Sequence, residues 1–134
     1  MSDLELMKLA VEARKNAYVP YSGFRVGAAL LSKSGRVYLG CNVENAAYGP
    51  TNCAERTAVF SAVCAGEREF VAIAIVGGRE EEPRELCAPC GVCRQVLAEF
   101  CDGDFRILLG TPDAMEEHTL SELLPLSFGK ADLA

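Results

Sequence analysis

Two short cysteine-containing fragments of the chain have the residue types of a metal site. The first is Cys53-Ala54-Glu55-Arg56 and the second is Pro89-Cys90-Gly91-Val92-Cys93. Each fragment opens a predicted helix, and the positive end of a helix dipole favours the thiolate form of cysteine that binds metal. Because the two fragments are far apart in the sequence, two helices must converge to build the site, which excludes a small zinc knuckle.

The number of candidate ligands indicates the kind of site. A structural zinc site closes with four protein ligands, whereas a catalytic site keeps three and leaves the fourth position for water. Cys53, Cys90 and Cys93 supply three. The other cysteines are interpreted as buried or inert thiols: Cys41, Cys64, Cys87 and Cys101. Cys87 is the strongest competitor, because it extends the spacing to Cys-x-x-Cys-x-x-Cys, and a site closed by Cys87 is structural.

Glu55 has the position of a general base. A glutamate in the first turn of a helix can simply complement the helix dipole. Beside an open coordination position, however, it can also take the proton of a zinc-bound water. Three thiolates leave the zinc site with a net negative charge, which the two helix N-termini and Arg56 can offset if Arg56 turns toward a thiolate. The alternative for Arg56 is an exposed surface side chain.

The first half of the chain predicts one helix and two strands. Ser2 and Glu5 form a capping-box pattern, and apolar residues recur at helical spacing up to about Ala17. The continuous apolar run 26–31 predicts a buried strand, and an alternating strand follows from Arg36. Its apolar face is expected to carry four residues: Val37, Leu39, Cys41 and Val43. Asn42 and then Glu44 point away from that face.

The second half of the chain predicts helices and strands in turn. After a loop at 45–52, the patterns predict a helix from Cys53 to about Gly66, a strand at 70–76, a charged loop at 79–85, a helix opened by Pro89, a strand at 106–109 and a short helix at 121–125. Strands separated by helices favour an α/β sandwich with helices on the faces of the sheet.

Composition limits the class of protein. A chain of 134 residues with 50% hydrophobic residues forms one domain, residues 1–134, with a sizeable core. Its apolar runs are far shorter than the roughly 20 residues that cross a membrane. A net charge of −6 without a Lys/Arg cluster argues against a nucleic-acid polymer as partner. No export signal is visible and the seven cysteines are an odd number, so we expect reduced thiols and a cytoplasmic protein.

The combined motifs resemble those of the small zinc-dependent cytidine deaminases, whose signature is Cys-x-Glu followed by Pro-Cys-x-x-Cys. Matching segments occur in family order over essentially the whole chain: residues 21–30, 42–45, 51–58, 123–125 and 128–129. The resemblance implies a three-layer α/β sandwich with a mixed five-stranded sheet and helices on both faces, and one Zn²⁺ per chain. It also implies hydrolytic deamination of cytidine and deoxycytidine to uridine and deoxyuridine with release of ammonia, a reaction of pyrimidine salvage.

The resemblance assigns roles to individual residues. Glu55 is the expected catalytic residue, taking a proton from water and delivering it to N3 of the base. The nucleoside is expected to be contacted by five residues: Phe24, Asn42, Val43, Glu44 and Ala54. In this assignment Phe24 packs on the pyrimidine, and Asn42 and Glu44 bind the ribose hydroxyls. Since a carboxylate repels phosphate, we expect a nucleoside substrate and not a nucleotide.

The family resemblance further implies a homotetramer with pockets shared between subunits. Neighbouring subunits are expected to contribute residues that match Ala46, Tyr48 and Phe128, while Arg56 and Gln95 support the ligands. Two departures from the family pattern stand near the metal. Ala88 stands where the family often has a serine. All three expected ligands are cysteines, and the histidine of the His-Cys-Cys deaminases is missing. His118 lies near the C-terminus and is interpreted as a surface residue.

Three alternative functions compete with this interpretation. A deaminase of the blasticidin type shares the Cys-Ala-Glu and Pro-Cys-Gly-x-Cys-Arg motifs, although Arg56 and the region of Phe128 favour cytidine. A structural zinc or redox-thiol module predicts a closed four-sulfur site and no use for Glu55. An editing deaminase of RNA or DNA needs Lys and Arg for phosphate contacts, which the acidic composition disfavours.

Overall fold

The centre of the molecule is a mixed five-stranded sheet, as expected. The computed structural model describes residues 1–83 and 86–134. The strands are β1 (Arg25–Ser32), β2 (Val37–Cys41), β3 (Phe70–Gly78), β4 (Arg106–Thr111) and β5 (Ala114–Thr119), in the order β2-β1-β3-β4-β5. Strands β3 and β4 are parallel, and the other neighbouring pairs are antiparallel.

Helices cover both faces of this sheet. They are α1 (Asp3–Arg14), α2 (Ala54–Cys64), α3 (Gly91–Phe100) and the short α4 (Leu120–Leu123), followed by a 3₁₀ turn at Lys130–Leu133. Leu6 and Met7 of α1 pack against Ala29 on one face of β1. On the other face Leu30 packs in a cluster with α2 and with Leu97 of α3. Alternate residues of one strand thus face different helices, which confirms the three-layer sandwich.

Two glycines allow helices to lie directly on strands. A Cβ atom at Gly27 of β1 would lie 2.1 Å from the carbonyl oxygen of Ala10 in α1. At Gly40 of β2 it would lie 2.3 Å from the carbonyl oxygen of Ala54, in the first turn of α2. The approach at Gly40 therefore fixes the end of α2 that carries the candidate site.

A buried arginine joins the end of α1 to the ends of the central strands. Arg14 is 2% exposed, and its guanidinium donates to the carbonyl oxygens of Gly78 and Glu81, each at 2.7 Å, and of Arg25 at 3.2 Å. Each of these carbonyls lies where a strand starts or where β3 runs out into a loop. Arg14 therefore ties the end of α1 to the backbone at the start of β1 and at the end of β3.

Several predicted boundaries differ from the structure. Helix α1 ends at Arg14 and not near Ala17, and α3 begins at Gly91 with Cys90 as its N-cap, so Pro89 precedes the helix. Strand β2 ends at Cys41. The charged loop predicted at 79–85 includes two residues, at positions 84 and 85, that lie outside the described residues.

The apolar face of β2 is only partly covered. Its apolar face carries Leu39, which is 43% exposed, whereas Tyr38 and Gly40 on the opposite face pack under α2. Strand β2 lies at the edge of the sheet, and α1 packs mainly against β1 and β3, so it leaves the outer part of that face open.

Strand β5 was not predicted from the sequence pattern. Its residues Ala114-Met115-Glu116-Glu117-His118-Thr119 are mostly polar, because β5 lies at the other edge of the sheet, beside β4. His118 lies on this strand between the carboxylates of Glu116 and Glu122. Within residues 1–83 and 86–134, no helix is long and apolar enough to cross a membrane.

Candidate metal centre and active site

Three thiols converge between the N-termini of α2 and α3. Cys53 and Cys90 are the N-cap residues of these helices, both with extended backbone conformation, and Cys93 lies in the first turn of α3. The Sγ atoms of Cys53 and Cys90 are 3.8 Å apart, and those of Cys90 and Cys93 are 3.6 Å apart. All three Sγ atoms lie within 4.8 Å of one another.

These distances fit a single tetrahedral zinc ion. Sulfurs bound at about 2.3 Å to one tetrahedral zinc lie about 3.8 Å apart. Within the described part of the chain, the group of ligand atoms contains these three thiols and no fourth. Cys87 lies elsewhere: a Cβ at Gly77 would be 2.8 Å from Cys87 Sγ and 3.1 Å from the ring of Phe24. The cluster therefore has the ligand number of an open, catalytic site.

Local hydrogen bonds fix the helix start that carries Cys53. The hydroxyl of Thr57 donates to the carbonyl oxygen of Cys53 at 3.1 Å, and the side-chain amide of Asn52 donates to Thr57 Oγ1 at 3.0 Å. Since the Cys53 thiol makes no capping hydrogen bond to the helix, its sulfur is free to face the other two cysteines.

Arg56 turns toward the cluster rather than toward solvent. Its guanidinium donates to Cys53 Sγ at 3.3 Å. Hydrogen bonds from Cys93 and from Arg56 lower the pKa of Cys53 to about 5, and the same contact raises the pKa of Arg56. The interaction with Cys53 raises the pKa of Cys93. Arg56 is therefore placed to stabilise negative charge on the sulfur of Cys53.

The carboxyl group of Glu55 is buried next to the cluster. Glu55 is 4% exposed and lies in the first turn of α2. Burial raises the pKa of Glu55 to about 7, and the negative charge of Cys53 adds to this rise. A carboxyl group with a pKa near neutrality can both accept and donate a proton at physiological pH, as a general acid–base group requires.

A pocket of about 420 Å³ lies beside the turn that precedes β1. It is lined by residues of that turn and of the segment between β2 and α2: Tyr21, Ser22, Glu44, Tyr48 and Thr51. Glu44, a predicted substrate contact, and Tyr48, which the resemblance assigned to the pocket of a neighbouring subunit, thus share one concave surface of the same chain. The rings of Tyr21 and Tyr48 meet edge to face with centroids 6.2 Å apart.

Comparison with known proteins identifies the family to which this site belongs. The family model described as the cytidine and deoxycytidylate deaminase zinc-binding region matches residues 1–109. The chain belongs to the cytidine deaminase family. The family's zinc-binding region and the cluster of Cys53, Cys90 and Cys93 together support one zinc per chain.

Two curated relatives and one solved structure match this cytidine deaminase family member over nearly their whole length. A cytidine deaminase from Halalkalibacterium halodurans is 52% identical over 129 residues, which is 96% of this chain and 95% of the relative. One from Sporosarcina psychrophila is 50% identical over 98% of this chain and 96% of its own length. The crystal structure of the Burkholderia pseudomallei cytidine deaminase has 46% identity and a TM-score of 0.87, covering 96% of this chain and all of that one.

The alternative of the blasticidin type has weaker support. A blasticidin-S deaminase from Bacillus cereus is 29% identical over 130 residues, well below the two cytidine deaminases. The chain is therefore more similar to the cytidine branch of the deaminases, as the sequence motifs predicted.

Asn42 and Val43 organise the backbone around the pocket of this deaminase. The side chain of Asn42 accepts the N–H of Val26 at 2.9 Å and donates to the carbonyl oxygen of Phe24 at 2.8 Å. Val43 exchanges two backbone hydrogen bonds of 3.0 Å with Asn52, directly before Cys53. These two residues connect the sugar side of the predicted site to the start of β1 and to the zinc cluster.

The remaining sequence-predicted residues lie in different surroundings. Ala54 is buried in the first turn of α2, and Ala46 is exposed in the loop before it. Phe128 is 60% exposed, and its carbonyl oxygen accepts a hydrogen bond of 2.8 Å from the side-chain amide of Gln95. Gln95 thus anchors the C-terminal segment, a contact that the sequence motif did not specify.

The other four cysteines lie outside the three-thiol group, and no disulfide links any of the seven cysteines, all of which are among the described residues. Burial raises the pKa of Cys101 to about 12 and also raises the pKa of Cys41, which fits inert thiols. Cys87 is half-buried against the core. Cys64 is exposed, so of the two interpretations, a buried or an inert thiol, burial does not apply to this residue.

Sequence reasoning missed the part that Arg94 and Ser22 take in the site. Arg94 follows Cys93 and donates to the carbonyl oxygens of Pro89 at 2.7 Å and of Leu123 at 2.6 Å, which fastens the turn before Cys90 to α4. Ser22 donates to the carboxylate of Glu44. Both residues stand inside motifs that the sequence analysis singled out, but their partners depend on the fold and not on spacing.

Proposed function

We propose that the chain catalyses the hydrolytic deamination of cytidine and deoxycytidine to uridine and deoxyuridine, with release of ammonia. The observation that carries this proposal is a buried carboxyl group, Glu55, adjacent to three converging thiols with the ligand number of a catalytic zinc site. Two relatives at 50% and 52% identity that bear the name cytidine deaminase support the choice of substrate.

The chemistry starts from a base carbon, C4, that is a poor electrophile until N3 is protonated. Zinc in a site with three protein ligands supplies a Lewis acid that brings the pKa of water from 15.7 toward about 7. Glu55 takes a proton from the attacking water and delivers a proton to N3, and it later passes a proton to the leaving amine. General acid–base catalysis contributes about 10² to 10⁴-fold per role, so one carboxyl group with these roles accounts for much of the rate.

Arg56 and the two helix N-termini support a cluster rich in negative charge. Three thiolates around a divalent ion leave a net negative charge, which disfavours ionisation of water. The guanidinium of Arg56 withdraws charge from Cys53 Sγ, and the N-termini of α2 and α3 add positive partial charge. The chain thereby restores acidity that an isolated three-thiolate site lacks.

Five residues are proposed to recognise the substrate, and of these Glu44 lines the described pocket. We assign the pyrimidine to the ring of Phe24 and to the backbone of Ala54, and the sugar hydroxyls to Asn42 and Glu44, with Val43 between them. The carboxylate of Glu44 accepts hydrogen bonds from neutral hydroxyls but repels a phosphate. A free nucleoside is therefore the proposed substrate, with neither a nucleotide nor a polymer as a partner.

We further propose a homotetramer in which neighbouring subunits complete each pocket. Tyr48 is 74% exposed and Phe128 is 60% exposed, and large aromatic side chains of this kind are typical of surfaces that a partner covers. With Ala46 they are the residues that a neighbour would contribute. A reducing compartment such as the cytoplasm suits the proposed enzyme, because zinc binding requires its thiols to remain unoxidised.

The experiment that tests this function compares four substrates on the zinc-loaded protein. Cytidine and deoxycytidine are expected to lose ultraviolet absorbance and release ammonia, while cytidine monophosphate and blasticidin S react far more slowly. A protein that contains about one zinc per chain and leaves both nucleosides unchanged would refute the proposal. Faster turnover of blasticidin S than of cytidine would instead support the alternative substrate.

A further inference from the structure

The carboxylate of Glu44 is oriented by the turn that precedes β1. The backbone N–H groups of Tyr21 and Ser22 both donate to Oε1 of Glu44, at 3.0 and 3.1 Å, and the hydroxyl of Ser22 donates to Oε2. The backbone of Glu44 is fixed as well, since its N–H donates to the carbonyl oxygen of Tyr18 at 2.9 Å. The carboxylate therefore has one preferred orientation at the wall of the pocket.

The direction of the Ser22 hydroxyl is determined by a second contact. Ser22 Oγ accepts the backbone N–H of Phe24 at 3.0 Å. A hydroxyl group has a single proton to donate, so the Phe24 contact leaves that proton for Glu44. The side chain of Ser22 thereby connects the backbone of Phe24, whose ring is assigned to the pyrimidine, with the carboxylate of Glu44, which is assigned to the sugar.

The hydrogen bonds around Glu44 leave room for one more donor. An ionised carboxylate has about four lone-pair sites, two on each oxygen. Oε1 uses two for the backbone N–H groups and Oε2 uses one for Ser22. The remaining site lies on Oε2, the same atom that Ser22 orients, and accepts one hydroxyl.

We propose that Ser22 is a positioning residue that aims Oε2 of Glu44 at a single hydroxyl of the sugar. The inference rests on the proposed function and deepens it. Ser22 sets the orientation of Glu44 relative to Phe24, so it contributes to nucleoside binding and leaves the proton transfers of Glu55 untouched.

The test measures KM and kcat of the zinc-loaded Ser22→Ala enzyme with cytidine. Loss of the hydrogen bond to a charged group is expected to raise KM about tenfold while kcat stays within about twofold of wild type. Ser22→Thr retains a hydroxyl and is expected to restore KM. The matched control is Ser34→Ala: Ser34 donates to Glu67 at 2.6 Å in the turn between β1 and β2, outside the pocket, so both constants should stay unchanged.

A second measurement separates positioning from general loosening of the fold. Ser22→Ala and wild type are compared on 2′-deoxycytidine and 3′-deoxycytidine, which each lack one hydroxyl. For the nucleoside that lacks the hydroxyl bound by Glu44, the KM ratio of variant to wild type should fall to near one. For the other nucleoside the KM ratio should remain near tenfold. Such a difference shows that the Ser22 side chain and one sugar hydroxyl are energetically coupled.

The outcomes distinguish this inference from the proposed function. If wild type deaminates cytidine but Ser22→Ala changes KM equally for all three nucleosides, or changes only kcat, the positioning role is wrong. A variant that does not fold is replaced by Ser22→Cys, whose weaker donor predicts an intermediate KM and the same dependence on one hydroxyl. Wild type that deaminates none of these nucleosides contradicts the proposed function itself.

Discussion

Glu55 and Arg56 are adjacent in the first turn of α2, yet their surroundings disfavour the charged form of Glu55 and favour the charged form of Arg56. Burial raises the pKa of Glu55 to about 7, whereas the contact of Arg56 with Cys53 stabilises both charged partners. Because successive residues of a helix point in different directions, one turn supplies both a proton carrier and a counter-ion for sulfur. The proton transfer and the charge balance of the site therefore depend on two neighbouring side chains.

Glu55→Gln is expected to retain zinc and to lose turnover. The variant keeps the shape of the side chain and the three thiols, but glutamine cannot carry a proton, so kcat should fall by at least about 10³-fold. Zinc content by elemental analysis and cytidine turnover by absorbance measure the two quantities. Glu99→Gln, an exposed carboxyl of α3, is the control and should match wild type. Near-normal turnover by Glu55→Gln contradicts the assigned role.

Single cysteine substitutions distinguish an open site from a closed one. Cys93→Ser is expected to lose zinc, because it removes one of three converging thiols, while Cys87→Ser should keep about one zinc per chain. Zinc content with a free-thiol titration measures both. Cys64→Ser, an exposed thiol outside the group, is the control. Loss of zinc from Cys87→Ser would make the site a closed four-sulfur centre.

The sequence predicted the residues that act through their own chemistry better than those that act through the backbone. Cysteine spacing and the position of Glu55 at a helix start were enough to indicate the zinc cluster. Ser22 and Arg94 have partners in backbone groups or in residues distant in the chain, and no spacing rule encodes these contacts. Such residues become visible only when the fold brings the segments together.

At the scale of elements, the active-site geometry depends on how closely α2 approaches β2. Gly40 permits this approach, since any side chain there meets the backbone of Ala54 and Ala58. The alternating pattern of this strand did not indicate the importance of Gly40. At an edge strand the neighbouring helix, and not the alternation of residues alone, decides which face is buried: α2 lies on Gly40, whereas Leu39 is 43% exposed.

Gly40→Ala is expected to destabilise the protein and to weaken zinc binding together. The added methyl would lie 2.3 Å from the carbonyl oxygen of Ala54, so α2 must shift, and overpacking of this kind costs about 1–3 kcal/mol or more. Urea unfolding and competition with a chelator measure the two effects. Gly49→Ala, where an added Cβ meets open space, is the control. Reduced stability with unchanged zinc affinity would separate Gly40 from the site.

At the scale of the whole molecule, a single chain forms the zinc cluster but leaves large aromatic residues uncovered. Strands β1 to β4 and the packing of helices on the faces of the sheet follow from patterns within the chain, whereas the order of the strands and the polar edge strand β5 were not predicted. An assembly depends on which exposed residues meet a second copy, and composition carries no such information. Only the resemblance to the cytidine deaminase family led to the proposal that Tyr48 and Phe128 complete a neighbouring pocket.

Subunit complementation tests this shared pocket directly. Glu55→Gln and Phe128→Ala chains are each expected to be poorly active alone, the first through its own site and the second through the site that it completes in a neighbour. Random assembly in equal amounts places both intact residues at about one site in four, so mixed tetramers should regain up to about a quarter of wild-type activity.

The control mixes Glu55→Gln with Cys93→Ser, two changes that damage each chain's own site and leave nothing to rescue. A native mass of about four times the 14.4 kDa chain accompanies the expected result. A monomeric protein, or mixed tetramers without recovered activity, contradicts the proposal, because an aromatic side chain acting only within its own subunit cannot restore the site of another.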